Sequence, residues 1–151
     1  YEGTFNNIGF AVGAGYTHID IEEDAVLPPV PAAIDSDDID QWNIGADFDI
    51  GAFGVGAAYT ETESAGGVKD ADVDTMVFGA DYTTGPFQFG ASYLNQDVDG
   101  GNETDRYTGG VVYTLTQGLT LRGSVSYSDV DVAGGSDTDA TSVLGGIQFN
   151  F

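Results

Sequence analysis

The stretch Trp42-Asn43-Ile44-Gly45-Ala46-Asp47-Phe48-Asp49-Ile50-Gly51-Ala52-Phe53-Gly54-Val55-Gly56-Ala57-Ala58-Tyr59 decides the fold. Trp42, Ile44, Ala46, Phe48 and Ile50 alternate with Asn43, Gly45, Asp47 and Asp49, which is the two-residue period of a strand with one apolar and one polar face. After the two-residue link Gly51-Ala52 the pattern resumes: Phe53, Val55, Ala57 and Tyr59 fall on one face, and Gly54, Gly56, Ala58 and Thr60 on the other.

Working outward, the pattern recurs at Ile8, Phe10, Val12, Ala14 and Tyr16, and then at Met76, Phe78, Ala80 and Tyr82. It returns at Phe87, Phe89, Ala91 and Tyr93; at Tyr107, Val111 and Tyr113; at Leu119, Leu121, Val125 and Tyr127; and at Val143, Ile147, Phe149 and Phe151. Each run is about ten residues, the length a tilted strand needs to cross a bilayer. A soluble sandwich also alternates, so the placement of the rings carries more weight. Trp42, Tyr59, Tyr82, Tyr93, Tyr113, Tyr127, Phe149 and Phe151 cap the apolar stripes, where aromatic rings sit well at membrane interfaces. The pattern predicts an all-β, antiparallel, up-and-down transmembrane barrel of eight strands, with residues 1–151 as a single domain.

Composition excludes much else. Twenty-three glycines without a Gly-X-Y period exclude collagen, and ordered alternation argues against disorder. No run approaches an apolar spanning helix, and the absence of cysteine removes disulfide and thiolate chemistry. No basic, apolar leader precedes Tyr1, so an export signal is expected either to have been removed or to lie outside this sequence. Catalytic signatures are lacking: there is no nucleophile elbow, no P-loop and no His/Cys metal cluster. The one histidine, His18, reads as a rim residue at the end of the first run.

The connections alternate as well. Gly51-Ala52, Thr84-Gly85-Pro86 and Thr116-Gln117-Gly118 are short, whereas the links near 20–39, 65–71, 99–103 and 132–137 read as long. Short turns at one end and long loops at the other are the rhythm of an outer-membrane barrel. The long side also holds nearly all carboxylates, and only Glu2, Asp47, Asp49 and Asp81 lie elsewhere. This anionic collar accounts for most of a net charge of −22; it is read first as a solvated, repelling face and second as a cation-attracting mouth. Asp97, Asp99, Glu103 and Asp105 are weak candidate Ca²⁺ ligands, since their spacing lacks the EF-hand pattern. No other cofactor is called for. The proline cluster Leu27-Pro28-Pro29-Val30-Pro31 reads as a stiffener of an outer loop.

Several short motifs carry a resemblance. The opening Tyr1-Glu2-Gly3-Thr4-Phe5 with Asn7 to Tyr16 resembles a segment from general diffusion porins of α-proteobacteria, a Gram-negative family. The ending Val143-Leu144-Gly145-Gly146-Ile147-Gln148-Phe149-Asn150-Phe151 is similar to the last strand of such porins, with its terminal Phe. Gly56-Ala57-Ala58-Tyr59, Gly79-Ala80-Asp81-Tyr82 and Gly90-Ala91-Ser92-Tyr93 are similar to the same family. The resemblance implies sixteen strands and a homotrimer, so this chain would be the C-terminal half of such a porin.

Physical reasoning points the same way. Eight strands close around a space that side chains must fill. The polar phase here offers Gly9, Ala11, Gly13, Gly15, Gly54, Gly56, Ala58, Gly90 and Gly146, which would leave a narrow barrel hollow but suit a wide aqueous lumen. The strands at Ile8–Tyr16 and Val143–Phe151 are therefore expected to be the two edges of an open, curved sheet. Arg122, Arg106, Asp81, Thr120, Ser124 and Thr108 are the candidate pore-lining residues, with Arg122 pointing into the lumen as a selectivity contact or as half of an ion pair; Lys69 sits in a loop. The expected function is a bacterial outer-membrane channel for passive diffusion of ions and small hydrophilic solutes, cation-preferring, with outer-membrane lipid and lipopolysaccharide as partners and no nucleic acid. The alternative is a structural or adhesive barrel whose acidic loops bind Ca²⁺.

Overall fold

A computed structural model describes residues 1–6, 8–21, 38–65, 68 and 71–150. The strands are β1 (Glu2–Phe5), β2 (Ile8–Ile19), β3 (Ile39–Ile50), β4 (Phe53–Glu63), β5 (Val73–Thr84), β6 (Phe87–Val98), β7 (Asn102–Thr116), β8 (Leu119–Val132) and β9 (Thr138–Phe149). They form one antiparallel sheet in sequence order, β1 to β9, each strand pairing with the next. Lys69, Asp70, Phe151 and the acidic and proline-rich segment 22–37 lie outside the described residues.

Nine strands replace the expected eight. The addition is β1, which pairs with β2 from Glu2↔Ala11 to Phe5↔Ile8. Its four residues are too few to show a strand period, which is why the alternation did not announce it. The sheet is open: β9 forms one edge and is not paired with β2, as expected, but β2 is covered by β1 and is not itself an edge. The connection between β6 and β7 is also shorter than expected, only Asp99-Gly100-Gly101. Gly100 takes a φ of +65° there, open to glycine at no steric cost, and the Gly101 N–H donates to Val98 O at 2.7 Å to close the turn. The carboxylates that look like a loop in the sequence are largely strand residues of β6 and β7.

Register keeps the rings and most of the large apolar residues on one side, while Val77, Val112 and Leu144 stand on the other. Tyr16 faces Trp42, Phe48 faces Val55, Phe53 faces Tyr82, Phe89 faces Val111, Tyr113 faces Leu121 and Leu121 faces Ile147. Because the side-chain period is two, a one-residue slip in any pair would turn that strand's apolar set to the other face. Two tiers of rings bound the apolar band. At one end Trp42 and Tyr59 lie 5.1 Å apart between centroids and Tyr93 and Tyr107 5.0 Å; at the other, Phe53–Tyr82 and Phe87–Tyr113 are both at 4.6 Å.

No hydrophobic side chain is buried among the described residues, while Val143, Ile147, Phe149 and Phe53 are each 60% or more exposed. A folded domain surrounded by water must bury such a face against another layer, and the described residues supply none. The apolar band is the length and shape of a surface that acyl chains cover.

Candidate functional site

The opposite face of the sheet is the candidate site, and the same register assembles it in rows. One row runs Gly9, Asp49, Gly54, Asp81, Gly90, Gly110, Ser124, Leu144, from β2 to β9. Beside it runs Glu2, Ala11, Asp47, Gly56, Gly79, Ser92, Thr108, Ser126, Ser142. The β4-to-β9 part of the first row, together with Asp47, Gly56, Gly79, Ser92 and Thr108 of the second, lines a trough of ≈ 790 Å³ whose walls also include Gln88 and Arg122. Small side chains are what keep it open.

Glycine and aspartate are coupled in this wall. Gly54 stands between Asp49 and Asp81 on adjacent strands, and a Cβ at Gly54 would collide with Asp81 Oδ1 and lie 3.4 Å from Asp49 Oδ1. At Gly56 a Cβ would come within 2.9 Å of Asp47 Oδ2. Three carboxylates thus lie flat along the wall over glycine backbone. Gln88 Nε2 donates to Asp81 Oδ2 at 3.1 Å, fixing the third.

The sequence-predicted lining residues all fall on this face. Thr108 and Ser126 share a hydroxyl hydrogen bond of 2.9 Å, Ser124 faces Gly110, and Thr120 lies between Thr114 and Gln148 toward the short-turn end. Arg106 Nε donates to Ser128 Oγ at 3.0 Å near the opposite end. Arg122 lies between Val112 and Gly146, one row from Ser124. Among the described residues no carboxylate comes within 4.0 Å of either arginine, so Arg122 has no ion pair there of the kind that its residue type allowed.

The anionic collar is on the other face. Glu61, Asp74, Asp97, Glu103 and Asp131 form a single cross-strand row over β4 to β8, and Asp105, Asp129 and Asp139 form another over β7 to β9. All eight share the phase of the apolar residues, two or four positions past Tyr59, Met76, Tyr93, Tyr107, Tyr127 and Thr141. They therefore line the outside of the sheet beyond the ring tier, and among the described residues the carboxylates on the trough face are Glu2, Asp47, Asp49 and Asp81. Like charges directly opposite repel. The Asp131 carboxyl, outside the apolar band, is accordingly held above the usual carboxylate range, first by Asp137, then by partial desolvation and by Asp129, Glu103 and Asp105.

Of the candidate Ca²⁺ ligands, Asp97 faces Glu103 across the strands, Glu103 accepts from Asn95 Nδ2 at 2.9 Å, and Asp105 accepts from Asn95 at 3.1 Å and from Tyr93 Oη. Asp99 sits in the turn. They do not converge as tightly as another group, His18, Asp20 and Asp38, whose ligand atoms all lie within 4.8 Å of one another. Sequence reasoning missed that group because the 17 residues 21–37 separate its halves; the repeated two-residue spacings His18-x-Asp20 and Asp38-x-Asp40 were the available signal.

A family model described as Gram-negative porin matches residues 1–147. The chain belongs to the Gram-negative porin family. That family consists of non-enzymatic channels of the bacterial outer membrane, so the membrane facing this porin's apolar band is the outer membrane. A solved porin, refined at 1.8 Å resolution, matches the fold with a TM-score of 0.63 at 22% identity, covering 99% of this chain and 49% of its own. The porin described here therefore spans about half the length of that structure. The comparison with curated proteins gives no match.

Proposed function

We propose that this porin chain forms one side of a water-filled channel for passive diffusion of small hydrophilic solutes and ions, and that the channel prefers cations. The observation that carries the reading is the trough face. Its rows are mostly glycine, serine and threonine, with Ala11 and Leu144 among them, and the charges on that face are Glu2, Asp47, Asp49 and Asp81 against Arg106 and Arg122. A wall of small polar groups leaves room for hydrated solutes, and an excess of fixed negative charge on that wall raises the local cation concentration. The preference belongs to the wall carboxylates rather than to the collar, whose strand residues face away from the trough.

The collar supports a reading of its partners. Carboxylates on the outer side beyond the rings stand level with lipid head groups, so contact with lipopolysaccharide there calls for bridging cations such as Ca²⁺. Assembly as a homotrimer rests on the family resemblance alone.

The test is the reversal potential of the full-length protein in a planar bilayer under a KCl gradient. A K⁺-favouring potential that declines as salt rises is expected, because the Debye length falls from about 10 Å at 0.1 M to about 3 Å at 1 M. A Cl⁻-favouring potential would overturn the cation preference, and the absence of stepwise currents would overturn the channel.

A further inference from the structure

The pairing of β2 with β3 brings four chemistry-bearing side chains to one place. His18 is directly opposite Asp40, while Asp20 and Asp38 follow two residues beyond each, past the ends of the strands. All are on the outer side of the sheet, beyond the Tyr16–Trp42 pair of the ring tier. We propose that His18, Asp20 and Asp38 bind a divalent transition-metal ion of the Zn²⁺ class, with Asp40 as the residue that positions the histidine.

The donor set and its spacing support this. His18 Nδ1 lies 2.7 Å from Asp40 Oδ1, so Nδ1 donates there and Nε2 is the nitrogen offered to a metal, which on binding displaces the proton that Nε2 otherwise shares with Asp20. Asp40 is itself held by a hydrogen bond from Tyr16 Oη. On the other side of the ring, Nε2 faces Asp20 Oδ1 at 3.0 Å, and an Asp38 oxygen completes a set within 4.8 Å. Asp38 Oδ1 accepts from the Ile21 N–H at 3.0 Å, which ties that carboxylate to the end of β2. Zinc bonds of about 2.0–2.2 Å in a tetrahedron separate ligand atoms by about 3.3–3.6 Å, so a contraction of no more than about 1.5 Å seats the ion. One imidazole and two carboxylates, with water completing the shell, select a borderline ion over Ca²⁺, which takes six to eight oxygens. The histidine side chain is 41% exposed and Asp20 79%, so the ion enters from solvent. Nothing in this site depends on the channel reading, because it lies on the face away from the trough.

The competing account is that His18 only pairs with Asp20 and Asp40 and that cations gather loosely over the whole collar. Isothermal titration of the full-length protein in detergent with Zn²⁺, together with Co²⁺ absorption, separates the two. One tight site is expected, with the intense visible bands of four-coordinate Co²⁺, unaffected by millimolar Ca²⁺. His18→Gln should weaken Zn²⁺ binding at least tenfold, and Asp40→Ala, which touches no proposed ligand atom of the metal, by about tenfold or more. Heat-dependent mobility on a denaturing gel verifies that each variant is a folded barrel. Wild-type affinity in folded His18→Gln, or Zn²⁺ binding that millimolar Ca²⁺ displaces, would overturn the site.

Discussion

Asp81 and Glu61 have the same charge and lie on strands that pair with each other, yet their side chains occupy opposite faces of the sheet. Asp81 lies along the trough, hydrogen-bonded to Gln88, whereas Glu61 belongs to the outer row. Asp81→Asn should therefore lower the K⁺ over Cl⁻ permeability ratio by about twofold, the size of one screened unit charge in water, while Glu61→Gln leaves it unchanged. Arg122→Gln should shift the ratio the other way. Reversal potentials of the three variants check this, and equal effects from Asp81 and Glu61 would contradict the assignment of faces. Asp131 supplies a separate, pH-dependent prediction. Its native carboxyl holds a proton at higher pH than the ordinary value of 3.8, so between those two values the folded state binds more protons than the unfolded one. Stability from this group is full below the ordinary value and is lost as pH rises through the raised one. Hydrogen exchange at the outer ends of β8 and β9, corrected for intrinsic rates, should be slower at about pH 4 than at about pH 7, the range over which carboxylates discharge. Asp137→Asn, which removes the largest cause, should shrink the difference; no change would contradict the repulsion.

Neighbouring residues of one strand make the element-scale argument. On β7, Val111 faces the membrane opposite Phe89 and Gly123, and Val112 faces the trough opposite Gln88 and Arg122. Val111→Lys should destabilise the barrel by about 2–4 kcal/mol in urea unfolding, as expected for a charge in the bilayer, while Val112→Lys leaves the midpoint nearly unchanged and shifts selectivity toward anions. Comparable losses from both would mean that β7 is not one-sided. This face assignment was legible in the sequence wherever a strand carries rings or branched residues at alternate positions, as β3, β4 and β6 do. Other features were not. The four residues of β1 contain only two repeats of the two-residue period, too few to stand out as a pattern, and the turn at Gly100-Gly101 was hidden inside carboxylates that read as loop. Likewise the alternation identifies the two faces of each strand, but the side on which the rim carboxylates stand depends on carrying that phase past the last ring. The phase held through Asp97 and Asp131, and it moved the collar to the outside. The His18 cluster depended on long-range register, which no local pattern contains.

At the scale of the whole molecule, the sheet has an apolar band that no described residue covers, a trough lined mostly by small residues, and edges that do not meet. An open edge in lipid leaves backbone donors and acceptors unpaired at several kcal/mol each, which is why the proposed channel needs further wall beyond these strands. The chain's match to about half of a solved porin agrees with that requirement. The central claim is that the face bearing Ser124 is in contact with the conducting water and the face bearing Val125 is in contact with lipid. This chain contains no cysteine, so a single thiol can be placed on either face of β8. The deciding measurement is single-channel current through the full-length protein carrying Ser124→Cys or Val125→Cys, before and after a charged, membrane-impermeant thiol reagent. The account predicts a lasting step in current for Ser124→Cys and none for Val125→Cys. A step only from Val125→Cys, or equal steps from both, would contradict it.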